Sequence, residues 1–168
     1  IMFLSENYLA VRTGIGYDAH RLEPGSPLYL GGVQVSTDIG LAGHSDGDVL
    51  IHALVDAILG AAGLGDIGTY FPSSNPAYRG ASSIHFLQYA NNLLNQQGWH
   101  IANLDATIVA ERPRISPFSE AMRRIIAESV DIDQNQVNIK STTSDSMGFT
   151  GRGEGIAALA IATIKDRE

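Results

Sequence analysis

Apolar and polar positions along this chain change period several times, and each change marks an element. Between Arg12 and Tyr17, β-favouring residues mix with Gly14 and Gly16, which predicts a strand with close backbone approaches. It ends in Asp18-Ala19-His20, where a period of two puts both polar side chains on one face. Glu23 to Pro27 reads as a loop. Leu28–Leu30 and Val33–Val35 read as two short strands around the tight turn Gly31-Gly32.

Ser45 followed by Asp48 is a capping-box pattern that opens a helix. From Val49 the apolar positions Leu50, Ala53, Leu54, Ala57, Ile58 and Ala61 keep helical spacing, and Gly60, Gly63 and Gly65 end it. His52 and Asp56 lie four apart on one face of that helix, as polar insertions near an apolar stripe. Gly65 to Gly80 reads as irregular, and its proline-rich stretch Phe71–Pro76 as a loop able to cover a site.

Ser82 or Ser83 caps a second helix to about Gln97, stopped by Gly98; Trp99–Ala110 is a strand, broken by Glu111–Arg114. A third helix runs Pro117–Ser129, and Val137–Lys140 is a strand leading into the polar run Ser141–Ser146. After the glycine-rich Met147–Gly155 comes an apolar run, Ile156–Ile164. Period alone leaves it strand or helix; its shortness favours strand. The order predicts an α+β fold, a single mixed sheet with helices on one face in ferredoxin-like layering. Neither a repeat nor a linker divides the chain, so 1–168 is expected to be one domain, with 1–11 an N-terminal extension. Ile1 ahead of Met2 reads as a remnant or a trimmed start.

Composition narrows the chemistry. The 168 residues, 44% hydrophobic and 17% charged, suit one globular domain with a real core. There is no cysteine, so a transition metal must be held by imidazole and carboxylate. A net charge of −7 lacks the basic footprint of a nucleic-acid binder, so an anionic substrate must be drawn by a few arginines or by bound metals. The apolar runs are too short to span a bilayer, and the N-terminus lacks the basic region of a signal peptide. The expectation is a soluble intracellular protein without nucleic-acid or membrane partners.

Asp18, His20 and His52 are the candidate metal ligands. Two imidazoles and one carboxylate make a three-ligand set for zinc with a fourth position open to substrate. His44 is either an ordinary loop residue or a donor to a phosphate near the positive end of the helix. Asp46 and Asp48 read as acidic residues favouring the helix dipole, with Asp46 in the neighbourhood of the site. Asp56 either orients a metal-bound histidine or faces solvent. In Ser141–Asp145 the hydroxyls suit phosphate oxygens and the carboxylate suits Mg²⁺; the alternative is a plain polar loop. Gly148–Gly155 superficially looks like a dinucleotide loop, but no helix pattern follows it, so that reading fails. Arg152 is a candidate phosphate clamp.

Taken together, four stretches resemble one family. They are Gly16-Tyr17-Asp18-Ala19-His20, His44-Ser45-Asp46-Gly47-Asp48 through His52-Ala53-Leu54, Gly65-Asp66-Ile67-Gly68, and Gly148-Phe149-Thr150-Gly151-Arg152-Gly153-Glu154-Gly155. In this order, from Arg12 to about Lys165, the chain looks like a 2-C-methyl-D-erythritol 2,4-cyclodiphosphate synthase of the non-mevalonate isoprenoid pathway. The resemblance implies a homotrimer with active sites between neighbouring subunits, and zinc on Asp18, His20 and His52. It implies that His44 and Thr143 steady the transition state and that Asp18, His20 and Ser45 also touch substrate. Asp66, Ile67 and Gly68 then meet the sugar hydroxyls, with Phe71, Ser73 and Asn75 in the adjoining substrate loop. Ala110, Pro113, Arg114 and Ile115 belong to the cytidine pocket, and Thr142 also touches substrate. Asp145 holds Mg²⁺ or Mn²⁺ near the substrate phosphates, and Phe149, Arg152 and Glu154 lie near a central cavity that in similar proteins can hold an isoprenoid diphosphate.

Three features depart from the usual pattern: Arg114 where lysine is common, Asp145 where glutamate is usual, and Ser73 and Asn75 where acidic residues are common. The implied place of action is the bacterial cytoplasm, or a plastid-type organelle in a eukaryote. The implied reaction is cyclisation of 4-diphosphocytidyl-2-C-methyl-D-erythritol 2-phosphate with release of CMP. No protein nucleophile is needed, which agrees with the lack of a serine or cysteine triad. A trimeric binding protein without turnover and a metal-dependent phosphohydrolase are the competing classes.

Overall fold

Helix α1 (Val49–Ala62) organises the fold, because ten of its fourteen residues are buried. A helix buried on almost every side must lie between two layers. Here those layers are the sheet on one side and α3 (Ile84–Gln96) on the other. In the computed structural model, which describes residues 10–166, the main sheet has five strands in the order β4-β1-β7-β5-β6. These are β1 (Val11–Pro24), β4 (Ile39–Leu41), β5 (Trp99–Val109), β6 (Val137–Thr142) and β7 (Gly155–Asp166). Only the β5–β6 pair is parallel, so the sheet is mixed, as expected. A separate two-stranded ribbon, β2 (Leu28–Leu30) with β3 (Val33–Ser36), carries the glycine turn.

The two glycines of β1 set the distance between strand and helix. A Cβ on Gly16 would stand 1.9 Å from the Ala53 carbonyl oxygen, and one on Gly14 would stand 2.1 Å from that of Ala57. Only backbone fits between β1 and α1, so His52 is drawn onto the strand that carries Asp18 and His20. Leu50, Leu54, Ile58, Leu87, Leu104, Ile108 and Met122 fill the core behind them. The helices α1, α3 and α4 (Ser119–Val130) cover one face of the sheet. The other face leaves Val11, Ile15 and Tyr17 of β1 and Leu159 and Ile161 of β7 exposed, Ile15 by 70%.

Several sequence expectations need correction. Strand β1 does not stop at His20 but continues to Pro24, because its far end pairs with β4, three residues too short to show a period. Val11 belongs to β1 rather than to an extension, and the rest of that reading, residues 1–9, lies outside the described residues. Ser45 does not open α1. The N-cap is Asp48, whose Oδ1 accepts the Ile51 N–H at 3.1 Å. The same buried carboxylate accepts the N–H groups of Gly31 and Gly32, so it ties the ribbon turn to the helix start. Burial pushes the Asp48 carboxyl above its ordinary range, against the pull of those three bonds.

The segment called irregular, 65–80, contains the short helix α2 (Ile67–Tyr70) and a 3₁₀ turn at Pro76–Tyr78. The third helix begins with a 3₁₀ turn at Ser116–Phe118 before α4 proper. Strand β6 takes in Ser141 and Thr142, and Gly148–Gly151 forms a single helical turn, α5. The run after it is a strand, as its length suggested. Among the described residues no helix is long and apolar enough to cross a membrane.

Candidate metal and active site

Asp18 and His20 stand two apart on β1, and His52 comes from the first turns of α1. The Asp18 Oδ2 atom is 2.9 Å from His20 Nε2 and 2.9 Å from His52 Nδ1, and the two ring nitrogens are 3.0 Å apart. Burial pushes the Asp18 carboxyl up, but hydrogen bonds and charge from His20 and His52 outweigh it and hold the group well below the usual carboxylate range. With both rings turned to Asp18, the two ring nitrogens still meet at 3.0 Å with no acceptor between them. A cation shared by all three atoms relieves that contact. Tetrahedral zinc, with ligand bonds of about 2.0–2.1 Å, needs ligand atoms about 3.3 Å apart, so the triad fits after opening by a few tenths of an ångström. Among the described residues this is the one group of carboxylates and histidines close enough to hold a metal.

The triad lies in a cavity of about 260 Å³, lined also by His44, Ser45, Asp56, Ile67, Gly68, Phe71, Ser73, Tyr78 and Phe86. Its floor is aromatic. Phe71 stacks on Phe86 with ring centroids 4.2 Å apart, Tyr78 meets Phe71 edge-on at 5.3 Å, and Phe86 lies 6.3 Å from the His52 ring. His44 Nε2 donates to the Asn75 carbonyl at 2.7 Å. That bond leaves Nδ1 as the ring nitrogen available to a ligand. Asn75 therefore acts here through its main chain and does not line the cavity. Its side chain accepts the Ala77 N–H instead.

Asp66 caps α2, accepting from the Thr69 N–H and hydroxyl at 2.9 Å, and its neighbours Ile67 and Gly68 line the cavity. Asp56 neither orients a histidine through a hydrogen bond nor simply faces solvent: its Oδ1 accepts the Ile67 N–H at 2.7 Å. Burial pushes its carboxyl up, with the Asp66 and Asp18 charges adding to that. Asp56 thus fixes the loop that carries Ile67 and Gly68.

The remaining candidates do not line this cavity. Ala110, Pro113, Arg114, Ile115, Thr142, Thr143, Asp145, Phe149 and Arg152 cluster instead where β5 and β6 end and β7 begins. Asp145 and Ser146 adopt left-handed backbone (φ 49° and 63°), and the Glu111 carboxylate accepts the Ser146 N–H at 2.9 Å. Arg152 is not a free clamp: it is exposed and donates to Glu154 at 2.7 and 3.2 Å. Two residues of the cavity, Tyr78 and Phe86, and one behind it, Ser83, were missed in the sequence. Tyr78 and Phe86 carry no polar signal that sets them apart from packing residues. Ser83 looked like a helix cap, yet its hydroxyl makes no capping bond and lies 2.9 Å from His52 Nε2.

With this geometry in view, the family model described as YgbB family matches residues 11–165. A curated 2-C-methyl-D-erythritol 2,4-cyclodiphosphate synthase of Symbiobacterium thermophilum is 54% identical over 92% of this chain and 98% of its own length. The chain belongs to the YgbB family of cyclodiphosphate synthases. A bifunctional IspDF structure from Campylobacter jejuni superposes with a TM-score of 0.93 at 40% identity, covering 96% of this chain and 44% of that one. An IspF structure of Plasmodium falciparum, described as a CDP complex, superposes at 0.83 with 33% identity, over 96% and 100% of the two chains. In this YgbB-family chain the triad and aromatic floor occupy one corner of the sheet's end. The polar loops after β5 and β6 occupy another.

Proposed function

We propose that this chain converts 4-diphosphocytidyl-2-C-methyl-D-erythritol 2-phosphate to 2-C-methyl-D-erythritol 2,4-cyclodiphosphate and CMP, a step toward isoprenoid precursors. An oxygen of the 2-phosphate attacks the β-phosphorus of the same molecule. The bond from that phosphorus to the CMP oxygen breaks, and CMP leaves with the electron pair. The observation that carries this reading is the Asp18–His20–His52 triad set beside a cavity in a chain of the cyclodiphosphate synthase family.

Asp18, His20 and His52 would hold zinc, and Asp145 a second divalent ion, Mg²⁺ or Mn²⁺. When bound, the two ions supply polarisation of the β-phosphate and charge compensation for the leaving group. The rest falls to the protein's own atoms. His44, its Nε2–H committed to Asn75, donates from Nδ1 to a phosphate oxygen in its doubly protonated form, and Thr143 offers its hydroxyl from the other loop. Ser45, Ser73 and the main chain of Ile67 and Gly68 position the sugar and phosphates, and Asp66, capping α2, lies beside them. Folding one substrate for in-line attack makes positioning the main contribution, so no protein nucleophile is required.

Ala110, Pro113, Arg114 and Ile115 form the cytidine pocket in this reading, with Thr142 touching substrate beside it; the Plasmodium relative described as a CDP complex supports a cytidine-containing ligand. Two metals acting on adjoining phosphates must lie close together, whereas β1 and β6 are three strand spacings apart, about 14 Å. A neighbouring copy therefore brings its Thr143 and Asp145 to the triad of this one. The exposed Ile15, Tyr17, Leu159 and Ile161 give the apolar surface for that contact, and three copies close the ring. Phe149, Arg152 and Glu154 would face the shared axis, where a prenyl diphosphate is the fitting occupant.

Phosphorus NMR of the reaction mixture tests the proposal. A cyclic diphosphate appearing with equimolar CMP is expected. Free methylerythritol phosphates would mean hydrolysis, and unchanged substrate would mean a binding protein; either result overturns the assignment.

A further inference from the structure

The hydrogen bonds behind His52 do not run into the cavity but away from it, into the protein. His52 Nε2 is 2.9 Å from the Ser83 hydroxyl and 3.1 Å from that of Ser45. Ser83 is fully buried, and its hydroxyl is 2.5 Å from Asp46 Oδ1. Asp46 also accepts the Ser83 N–H on Oδ2 at 2.9 Å and the Asp48 N–H on Oδ1 at 3.1 Å. Main-chain bonds lace the same two segments together, Gly80 N–H to the His44 carbonyl and Asp46 N–H to the Ala81 carbonyl. The pair is therefore held rigidly where it stands.

Counting protons along this chain of bonds fixes their direction. A carboxylate accepts only, so the single hydroxyl proton of Ser83 goes to Asp46. The Ser83 oxygen is then left with lone pairs toward His52, an acceptor fixed opposite Nε2. On the other face Nδ1 meets a second acceptor, the Asp18 carboxylate, at 2.9 Å. A cation at the triad needs the Nδ1 lone pair, and the ring proton then belongs on Nε2, where Ser83 receives it.

We propose that Ser83 and Asp46 are positioning residues: they hold an acceptor against His52 Nε2 and so favour the tautomer that presents Nδ1 to the metal. The inference rests on the metal reading of the triad and adds to it the two residues that make the triad a ready acceptor set. It also gives Asp46 a reason to be a carboxylate. Ser83 offers two donors, N–H and O–H, to one side chain, and only a carboxylate has an acceptor for each. An amide at position 46 can meet one of them. Its NH₂ would then donate to the Ser83 oxygen, the Ser83 proton would turn to His52 Nε2, and the ring proton would move to Nδ1, closing the ligand position.

Two measurements on the full chain test this. Metal-free wild type, Ser83→Ala and Asp46→Asn are each titrated with zinc alone against a chromophoric chelator. Nitrogen-15 NMR then locates the His52 ring proton in the metal-free proteins. Zinc affinity is expected to fall about 10–100-fold in both variants, the usual effect of losing a partner behind a ligating histidine. The His52 tautomer balance is expected to shift from Nε2–H toward Nδ1–H between wild type and Asp46→Asn. Equal zinc affinity in all three proteins, or a His52 tautomer balance that is the same in wild type and Asp46→Asn, would overturn the inference. Failure of wild type to bind zinc would instead sink the metal reading, while the NMR result would still decide where the proton sits. Circular dichroism of the metal-free variants separates a folding defect from a positioning one, and Asp46→Asn, being isosteric, keeps the test open if Ser83→Ala unfolds.

Discussion

The two halves of the site are built on opposite plans. The metal half is packed, with helix α1 pressed backbone to backbone on β1 and the Asp46–Ser83 pair behind His52. The loop half, 142–152 with 110–115, is mostly exposed, and its Asp145 and Ser146 sit in left-handed backbone beside a single tether from Glu111. A ligand triad needs its atoms within tenths of an ångström before metal arrives, so it is made where packing is densest. In the proposed assembly the loop surface gets its order from a neighbouring subunit, so the isolated chain leaves it open.

Removing a ligand from the packed half has the largest expected effect. His52→Ala should lose bound zinc and about a thousandfold in turnover, the scale of the several kcal/mol that a Lewis acid supplies. Metal analysis beside a product assay checks it, and sedimentation should show the assembly unchanged, because His52 lies away from the exposed sheet face. Full activity in a zinc-free variant would end the comparison at once.

Mixing tests the division itself. If each active site takes its triad from one chain and Asp145 from the next, then His52→Ala and Asp145→Ala proteins, each impaired, should complement one another. Random reassembly after mild dissociation gives intact sites at about a quarter of positions, from head-to-tail pairing across one interface type. Mixed activity no higher than the mean of the two separate proteins would place both halves in one chain.

Gly16→Ala probes what holds the packed half in register. Its new methyl would lie far inside contact distance of the Ala53 carbonyl, so strand and helix must part. Overpacking of this kind costs about 1–3 kcal/mol. Urea unfolding should show that loss, and zinc should bind more weakly because His52 moves with α1. Unchanged stability would mean that the strand, not the helix, yields.

How far these halves could be read from sequence follows from the range of the forces involved. Helices α1 and α3 and the long strands carry their period in their own residues, so they were legible. Strand β4 and helix α2 are three and four residues long and carry none. The Ser45–Asp48 pattern correctly marked a helix start but assigned the cap to the wrong partner. Three N–H donors, two of them from the ribbon turn seventeen and sixteen residues away, claim Asp48. The triad could be proposed from its chemistry, because histidine on an apolar helix needs a partner. Ser83 could not, since nothing in its own neighbourhood signals a bond to a ring thirty-one residues back. The expectation that the loop half serves a neighbour's triad came from family resemblance alone; the physical argument for it, three strand spacings, appears only with the sheet order.

The smallest expected effect compares one added methylene in each half. Asp48 is fully buried and divides its two oxygens among three N–H groups. Asp48→Glu must therefore push the ribbon turn off the helix start, at about 1–3 kcal/mol, read as a lower urea midpoint. Asp145 is exposed, with a 3.4 Å contact to the Thr143 hydroxyl as its only recorded side-chain bond among the described residues. Asp145→Glu should stay within about 0.5 kcal/mol of wild type in stability. It should also keep or raise turnover with Mg²⁺ or Mn²⁺ if Asp145 holds the proposed second ion, since a longer carboxylate from an exposed loop would still reach it. A large loss of activity there would show that the loop half is as tightly fitted as the metal half, and the two plans would collapse into one.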